Sequence, residues 1–339
     1  MFHKLGIENT LDYMIDLYAN NSPKISIVTQ ASFIRDNLVG PETGSSLSFN
    51  KLDSLIKASA EAVERRCSML GAYANKNQDI VETWDLINNK KGHIQQKFSR
   101  ILDGVSDTTG TAVHTNSTTA ILNAVKELFE KNSLFLFWYG SIGKMVKPHL
   151  YSENRIYSFF TESGFKTSVF INESFKPLYT VIIIAYKEGD QFICGLGTDS
   201  IALNAINHAF EEAFLIGYMQ YYAILVGLPR DENNWSNEQN IKHVKKMESL
   251  EYAEISSFMQ APLTLNCLVS SLPDFITELH VIFIEQFIVP NLRCVRVFSK
   301  DLINSLPLKR NIDFSLSINK NTIQLNKVEL EKLPECPMS

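Results

Sequence analysis

The sequence predicts an α/β or α+β fold. Three observations carry that prediction: six short runs rich in β-branched and aromatic residues, long helical patterns between them, and an echo that repeats one helix three times. The strand-like runs are Lys24–Thr29, Arg155–Phe160, Tyr179–Tyr186, Gln191–Cys194, His280–Ile284 and Arg293–Phe298. The strongest helices cover about Leu52–Tyr73, Thr118–Trp138 and Ile201–Val226, with Ser117 or Thr118 capping the second and Asp199 or Ser200 the third. The polar stretch 229–240 reads as a surface loop, because the patterns on its two sides share one composition. A length of 339 residues allows roughly two domains of about 150 residues each, yet nothing divides the chain, and one domain over 1–339 is expected.

Composition narrows the classes. Hydrophobic residues make up 45% and charged residues 20%, which excludes a disordered tail, a collagen-like repeat and a disulfide-knotted toxin. The net charge of -5 offers no basic field for nucleic acid, so no nucleic-acid partner is expected. Five cysteines lie scattered without a C-x-x-C pair, which suggests neither a zinc ribbon nor a disulfide framework and fits a cytoplasmic location. Glu8, Asp12 and Asp16 interrupt the segment Met1–Leu17, which reads as part of the fold and not as a signal peptide. The longest apolar stretch, Ala213–Leu228, is too short for a bilayer span and contains Gln220, so no membrane partner is expected.

The echo is the informative feature. A glycine precedes a glutamate by 17 residues in each of three units: Gly44 and Glu61, Gly110 and Glu127, Gly195 and Glu212. Eleven residues after the glycine stand Leu55, Ile121 and Ile206; fourteen after it, Ala58, Ala124 and Ala209; nineteen after it, Val63, Phe129 and Phe214. These offsets share one helical face, so each unit has an apolar stripe with a glutamate at its border. In two units a second glutamate follows at i+3, Glu64 and Glu130, while the third has Leu215 there.

Like-charge repulsion within such a pair costs a helix only about 0.2–0.5 kcal/mol, and a lone E-x-x-E is usually a solvated face. Two pairs and a third glutamate in register change the weighing. Clustered carboxylate oxygens are what Mg²⁺ takes, at about 2.0–2.1 Å and commonly shared with nucleotide phosphates. Arg65 and Lys131, each next to the second glutamate of its pair, add positive charge for phosphate oxygens. The pattern points to a metal–nucleotide site.

Three segments carry a family resemblance: A-E-A-V-E-R-R (Ala60–Arg66), G-T-A-V-H-T-N-S-T-T-A-I-L-N-A-V-K-E-L-F-E-K (Gly110–Lys131) and A-L-N-A-I-N-H-A-F-E-E-A-F (Ala202–Phe214). They resemble the signature helices of the YcaO-domain family, and most of all the cyclodehydratase subunits of thiazole/oxazole-modified peptide synthetases of the microcin B17 type. The match covers about Gly44–Phe214, with further support from C-V-R-V-F at Cys294–Phe298. The resemblance implies mixed sheets with pseudo-repeated glutamate-bearing helices, and an ATP- and Mg²⁺-dependent enzyme that activates a backbone amide of a ribosomally made precursor peptide. A Cys, Ser or Thr side chain of that peptide attacks the preceding carbonyl, the oxyanion is phosphorylated, and phosphate loss leaves an azoline.

Carried onto this chain, the resemblance makes Glu61, Glu64, Glu127 and Glu130 metal ligands, Glu212 the acid of the third helix, and Arg65 and Arg296 phosphate-facing cations. Departures occur at Lys131, where the family usually has arginine, at Thr115 and Thr119, where it often has Asn and Glu, and at Leu215, where it often has Gln. The same ATP site serves thioamide and amidine formation in other members, and the departures also admit a non-catalytic scaffold subunit. A separate leader-binding or E1-like partner protein is expected, since the chain shows no fused domain of either kind. A flavin-dependent dehydrogenase downstream and a homodimer are left open. The C-terminal segment 333–339 loosely follows the family's alternating-proline tail, so Pro334 and Pro337 either reach the catalytic site or belong to a frayed end.

Other motifs carry less. Gly140–Lys144 lacks the glycine spacing and the following Ser or Thr of a phosphate-binding loop. His114 reads as a local hydrogen-bonding residue, and Phe135, Phe137, Trp138 and Tyr139 read as core.

Overall fold

A computed structural model describes residues 23–29, 34–35, 38–39, 43–70, 80–95, 107–189, 191–225, 227, 238–255, 263–284, 289 and 291–337. In chain order the elements that position the site are β1 (Lys24–Thr29), β2 (Ile34–Arg35), β3 (Leu38–Val39), β4 (Thr43–Ser48), α1 (Lys51–Leu70), β5 (Ile80–Asp85), β6 (Lys90–Gln95), β7 (Thr111–His114), α2 (Ser117–Gly140), β8 (Lys144–Met145), α3 (Arg155–Glu162), β9 (Lys166–Asn172), β10 (Tyr179–Tyr186), β11 (Phe192–Asp199), α4 (Ala202–Leu225), α5 (Glu238–Met247), α6 (Leu265–Ser270), β12 (His280–Ile284) and β13 (Arg293–Phe298). Short helices α7 (Ser317–Asn321) and α8 (Lys327–Lys332) follow.

The sheets are antiparallel throughout: β6-β5-β12-β13-β7, β11-β10-β9-β8, and the pairs β1-β4 and β2-β3. Helix α2 lies between the two large sheets. One core joins its Ala124, Leu128 and Phe135 to Val295 and Val297 of β13 on one side and to Ile182, Ile184 and Leu196 of β10 and β11 on the other. The C-terminal half of a helix enclosed in this way has no solvent side, which is why Leu134–Tyr139 are buried without a break. The opposite face of the β8–β11 sheet, with Val181, Ile183 and Ile193, packs on Ala205, Ala209 and Phe210 of α4 and on α3.

The three long helices match the sequence pattern to within a few residues, and the strands at Lys24–Thr29, Tyr179–Tyr186, His280–Ile284 and Arg293–Phe298 have their expected bounds. The run expected to extend over Gln191–Cys194 continues as a strand to Asp199. Arg155–Phe160 is a helix and not the expected strand. The side chain of Asn154 caps it by accepting from the amides of Ile156 and Tyr157, and Ile156 and Phe160 bury at i,i+4. The cap and the spacing override the β-propensity of the run.

Asn116, rather than Ser117 or Thr118, caps α2, accepting from the Thr119 amide. Asp199 accepts from the Ile201 amide at 3.0 Å, as expected of the residue that opens α4. Leu55 breaks the expected stripe, being 46% exposed while Ile206 is buried, because α1 rests on the narrow β1-β4 pair. Residues 229–237 of the expected loop fall outside the described residues, as does the segment Met1–Leu17, and 238–240 are the first turn of α5. Among the described residues no helix is long and apolar enough to cross a membrane.

Candidate active site

The echo is a strand-to-helix unit with one hydrogen bond in common. In each unit the residue after the glycine donates its amide to the glutamate: Ser45 to Glu61 Oε2 at 2.7 Å, Thr111 to Glu127 Oε2 at 3.1 Å, Leu196 to Glu212 Oε2 at 2.5 Å. The constant 17-residue offset is thus the length of chain needed to leave the strand, turn, and bring a helical carboxylate back beside it.

Glycine is required where strand and helix touch. A Cβ on Gly44 would lie 2.2 Å from the Ala58 carbonyl oxygen, and one on Gly195 2.4 Å from that of Ala209. Alanine at +14 is the helical side of this contact in these two units, Ala58 and Ala209, whereas a Cβ on Gly110 would meet the Val297 carbonyl oxygen at 2.6 Å. Gly110 has a φ of +74°, the left-handed region, and its carbonyl accepts from the Val297 amide at 2.7 Å, which ties the second unit to β13.

The three units converge. Burial raises the pKa of Glu64 well above the ordinary value, and the charges of Glu127 and Glu61 raise it further. Glu127 is pushed up to about 8, first by burial, against Lys131, with Glu130 and Asp107 adding to the rise. Glu212 is pushed up to about 7 by burial, with Lys131 opposing and Glu130 and Glu61 contributing. Glu61 is raised by burial, and Arg65 and the Ser45 amide oppose this. These acids, drawn from α1, α2 and α4, feel one another across one space.

Cations border that space. Arg65 pairs with Glu61 at 2.6 Å and donates to the Thr43 carbonyl at 2.8 Å. Lys131 is buried, donates to Glu130 at 2.9 Å, and is held charged against its burial by Glu130, Glu212 and Glu127. The lysine that departs from the family pattern is therefore the counter-ion joining the second and third units.

Arg296 is only 1% exposed. Its Nη2 donates to the Asn304 carbonyl at 3.4 Å, while Nε and Nη1 have no hydrogen-bond partner among the described residues. Thr111, its register neighbour on β7, has an equally unpartnered buried hydroxyl. Burial lowers the Arg296 pKa, with Asp107 and Glu127 opposing. A buried guanidinium with free N–H groups beside carboxylates suits a phosphate oxygen.

Not every expected residue joins the cluster. Thr115 is exposed before α2, and Thr119 is engaged with Asn116 at the helix start, eight residues and about 12 Å along the axis from Glu127. The tail is ordered rather than frayed as far as Pro337. Trp138 Nε1 donates to the Pro334 carbonyl at 3.1 Å, Tyr139 to Glu335 at 3.1 Å, and Cys336 is buried where its thiol senses Cys194 and Lys131. Pro337 is buried as well.

His114 accepts from the Asn116 amide, the local role expected of it, and the four aromatic residues of α2 are core. Sequence reasoning missed Asp107. Its carboxylate accepts from Thr109 at 2.9 Å and Leu306 at 2.6 Å and faces Glu127 and Arg296. Its one sequence signal is a position three residues ahead of Gly110.

Among the described residues, no three His, Cys, Asp or Glu side chains stand close enough to enclose a metal ion by themselves. Mg²⁺ at nucleotides commonly takes one or two carboxylates, with water and phosphate completing the octahedron. The carboxylates with raised pKa lack a full complement of positive charge, and Nε and Nη1 of Arg296 lack acceptors among the described residues. The donor set fits a cation bridged to phosphate.

Fold and site together define an α/β protein built on a threefold strand–helix unit with a buried carboxylate–cation cluster. The family model for YcaO, described as an ATP- and Mg²⁺-binding cyclodehydratase, matches residues 72–266, more than half of the sequence, and the chain belongs to the YcaO family. It is accordingly placed among ATP-dependent enzymes, with ATP and Mg²⁺ the cofactors of the family.

The structure of YcaO from Methanopyrus kandleri bound with AMPPCP and Mg²⁺ is similar at a TM-score of 0.66 and 13% identity, over 90% of this chain and 93% of that one. The E. coli microcin synthetase McbBCD complex is similar at 0.64 and 14%, over 92% and 96%. A heterocyclase in complex with substrate and cofactor is similar at 0.59 and 17%, over 77% of this chain and 45% of that one. Identities this low show the shared fold. No curated protein sequence matches the chain.

Proposed function

We propose that the chain is the ATP- and Mg²⁺-dependent cyclodehydratase, or azoline-forming heterocyclase, of a cytoplasmic system that modifies a ribosomally made precursor peptide. The single observation that carries this reading is the convergence of Glu61, Glu64, Glu127, Glu130 and Glu212 in equivalent register, backed by the free guanidinium N–H groups of Arg296. One or two of Glu61, Glu64, Glu127 and Glu130 would hold a given Mg²⁺, with water and phosphate as its other ligands, and Arg65, Lys131 and Arg296 would orient and neutralise the phosphates. Thr115 and Thr119 would contact the nucleotide only at its far end. Bound Mg·ATP supplies the phosphoryl group that turns an amide oxygen into a leaving group.

The residues do the rest by position. Arg296 is fixed by the Asn304 carbonyl and by the β7–β13 ladder. Glu64 and Glu127 sit where burial keeps water from screening charge. Lys131 acts electrostatically on Cys336 in the buried tail, and Pro334 and Pro337 on either side of it would help place the peptide.

Recognition of the precursor's leader is assigned to a separate leader-binding or E1-like protein, with which a flavin-dependent dehydrogenase and a second copy of this chain are compatible. The relatives that bear on this are a microcin synthetase complex and a heterocyclase in complex with substrate. Incubating the chain, its partner, precursor peptide and Mg·ATP should give a product lighter by one water per ring. A gain in mass from sulfur replacing oxygen would instead make it a thioamide-forming member. No modification under conditions where a catalytic homologue complements it would make it a scaffold.

A further inference from the structure

Arg296 stands on β13, where strand pairing fixes its backbone but not the far end of a long side chain. What holds that end is the turn after the strand, residues 299–306. The Asn304 carbonyl accepts from Nη2 at 3.4 Å, and the Asn304 side chain is spent on bracing the turn. Its Oδ1 accepts from the Ser299 amide at 2.9 Å, and its Nδ2 donates to the carbonyls of Ser299 at 2.6 Å and Leu302 at 2.8 Å. One residue earlier, Ile303 is gripped by α2. Its amide donates to Asn132 Oδ1 at 3.0 Å and its carbonyl accepts from Asn132 Nδ2 at 2.9 Å, while Nδ2 also donates to the Leu128 carbonyl at 2.8 Å.

We propose that Asn132 is a positioning residue, which clamps the 299–306 turn onto α2 and so sets where the Arg296 guanidinium stands relative to Glu127, Glu130 and Lys131. The proposal deepens the Mg·ATP reading and rests on it. Asn132 is fully buried and directly follows Lys131, so α2 turns the cation of the site to one side and the clamp, about 100° round the helix, to another. A primary amide is the group that fits. A carboxylate in its place has no N–H for the two carbonyls, and an aliphatic side chain leaves both polar groups of Ile303 buried and unpaired.

Asp107 holds the far end of the same turn, accepting from the Leu306 amide at 2.6 Å and from the Thr109 amide at 2.9 Å, two residues before Thr111. The turn is thus tied on one side to the helix that carries the carboxylates and on the other to the approach to β7, the strand paired with Arg296. The side-chain oxygens of Asn132, Asn304 and Asp107 are all spent on backbone amides, and Arg296 Nε and Nη1 keep no partner among the described residues. Those N–H groups are what a phosphate oxygen takes. A slack turn would let the guanidinium swing onto nearby carbonyls, which would compete with the phosphate for them.

The Kd of the full chain for a non-hydrolysable ATP analogue with Mg²⁺ should rise about tenfold or more on Asn132→Asp, the usual cost of losing a residue that orients a binding group. In an Arg296→Lys background the same substitution should add less than about twofold, because the group it positions is gone. An equal penalty in both backgrounds would make Asn132 a general packing residue and overturn the proposal. Asn304→Ala, which loosens the turn from its partly exposed side, takes the same place in the cycle if Asn132→Asp does not fold. A second readout needs no nucleotide. In protein labelled with ¹⁵N-arginine, the Arg296 Nε–H resonance, assigned by its loss in Arg296→Lys, should shift and exchange faster with water in each folded variant. If the parent bound no Mg·nucleotide, the ATP reading would fail by itself. An Arg296 resonance unchanged by the substitutions would overturn the positioning role whether or not nucleotide binds.

Discussion

Glu64→Gln and Glu130→Gln are expected to leave the fold intact while weakening Mg²⁺-dependent nucleotide binding by about tenfold or more, or about 1.4 kcal/mol. Each keeps the side-chain volume and removes one anionic oxygen pair. For Glu64 the change should also be neutral or stabilising in the absence of metal. Its charged form is opposed by burial and by Glu127 and Glu61, so the neutral amide relieves repulsion that the apo protein otherwise carries. A variant at least as resistant to urea as the parent, yet poor at binding Mg·nucleotide, is the signature of a functional acid. Loss of folding in both variants would make the glutamates structural.

Lys131→Met is expected to act in the opposite sense. The ammonium is 7% exposed and neutralises Glu130, Glu212 and Glu127 together, so its removal strands buried negative charge. The cost should be about 3–5 kcal/mol at neutral pH. The pH dependence follows from the raised carboxylate pKa values. A carboxyl whose folded pKa lies above its unfolded value stabilises the fold fully below the unfolded value and loses that contribution as pH rises through the folded one. For Glu212 and Glu127 the loss runs from about 4.5 to about 7 and about 8. Lys131→Met should therefore approach the parent's urea midpoint near pH 5 and fall furthest behind it near pH 8. A deficit that does not change with pH would mean that the lysine stem, not its charge, matters there.

The site was legible in the sequence because it is repeated. One glycine, one alanine and one glutamate recur at fixed offsets, since the same amide-to-carboxylate bond is made three times and the close glycine–alanine contact of strand and helix twice. Residues that act once left no such signal. Asp107 meets Arg296 only after β13 has joined β7 from nearly two hundred residues away, and Thr111 is marked only by that pairing.

Elements were misread where local chemistry outweighs composition. Arg155–Phe160 looks like a strand until Asn154 is recognised as its cap, and α2 begins one residue earlier than the hydroxyl residues suggest because Asn116 holds the Thr119 amide. The tail was ambiguous for a different reason. Its order comes from Trp138 and Tyr139, whose use as hydrogen-bond donors cannot be read from an apolar helical run.

Calorimetric titration of the purified chain with a non-hydrolysable ATP analogue, with and without Mg²⁺, tests the central claim most directly. Binding that requires the metal, and that is weakened by Glu64→Gln, is the predicted result. Binding that ignores both the metal and that substitution would contradict a carboxylate-held Mg·nucleotide site at the meeting point of α1, α2 and α4.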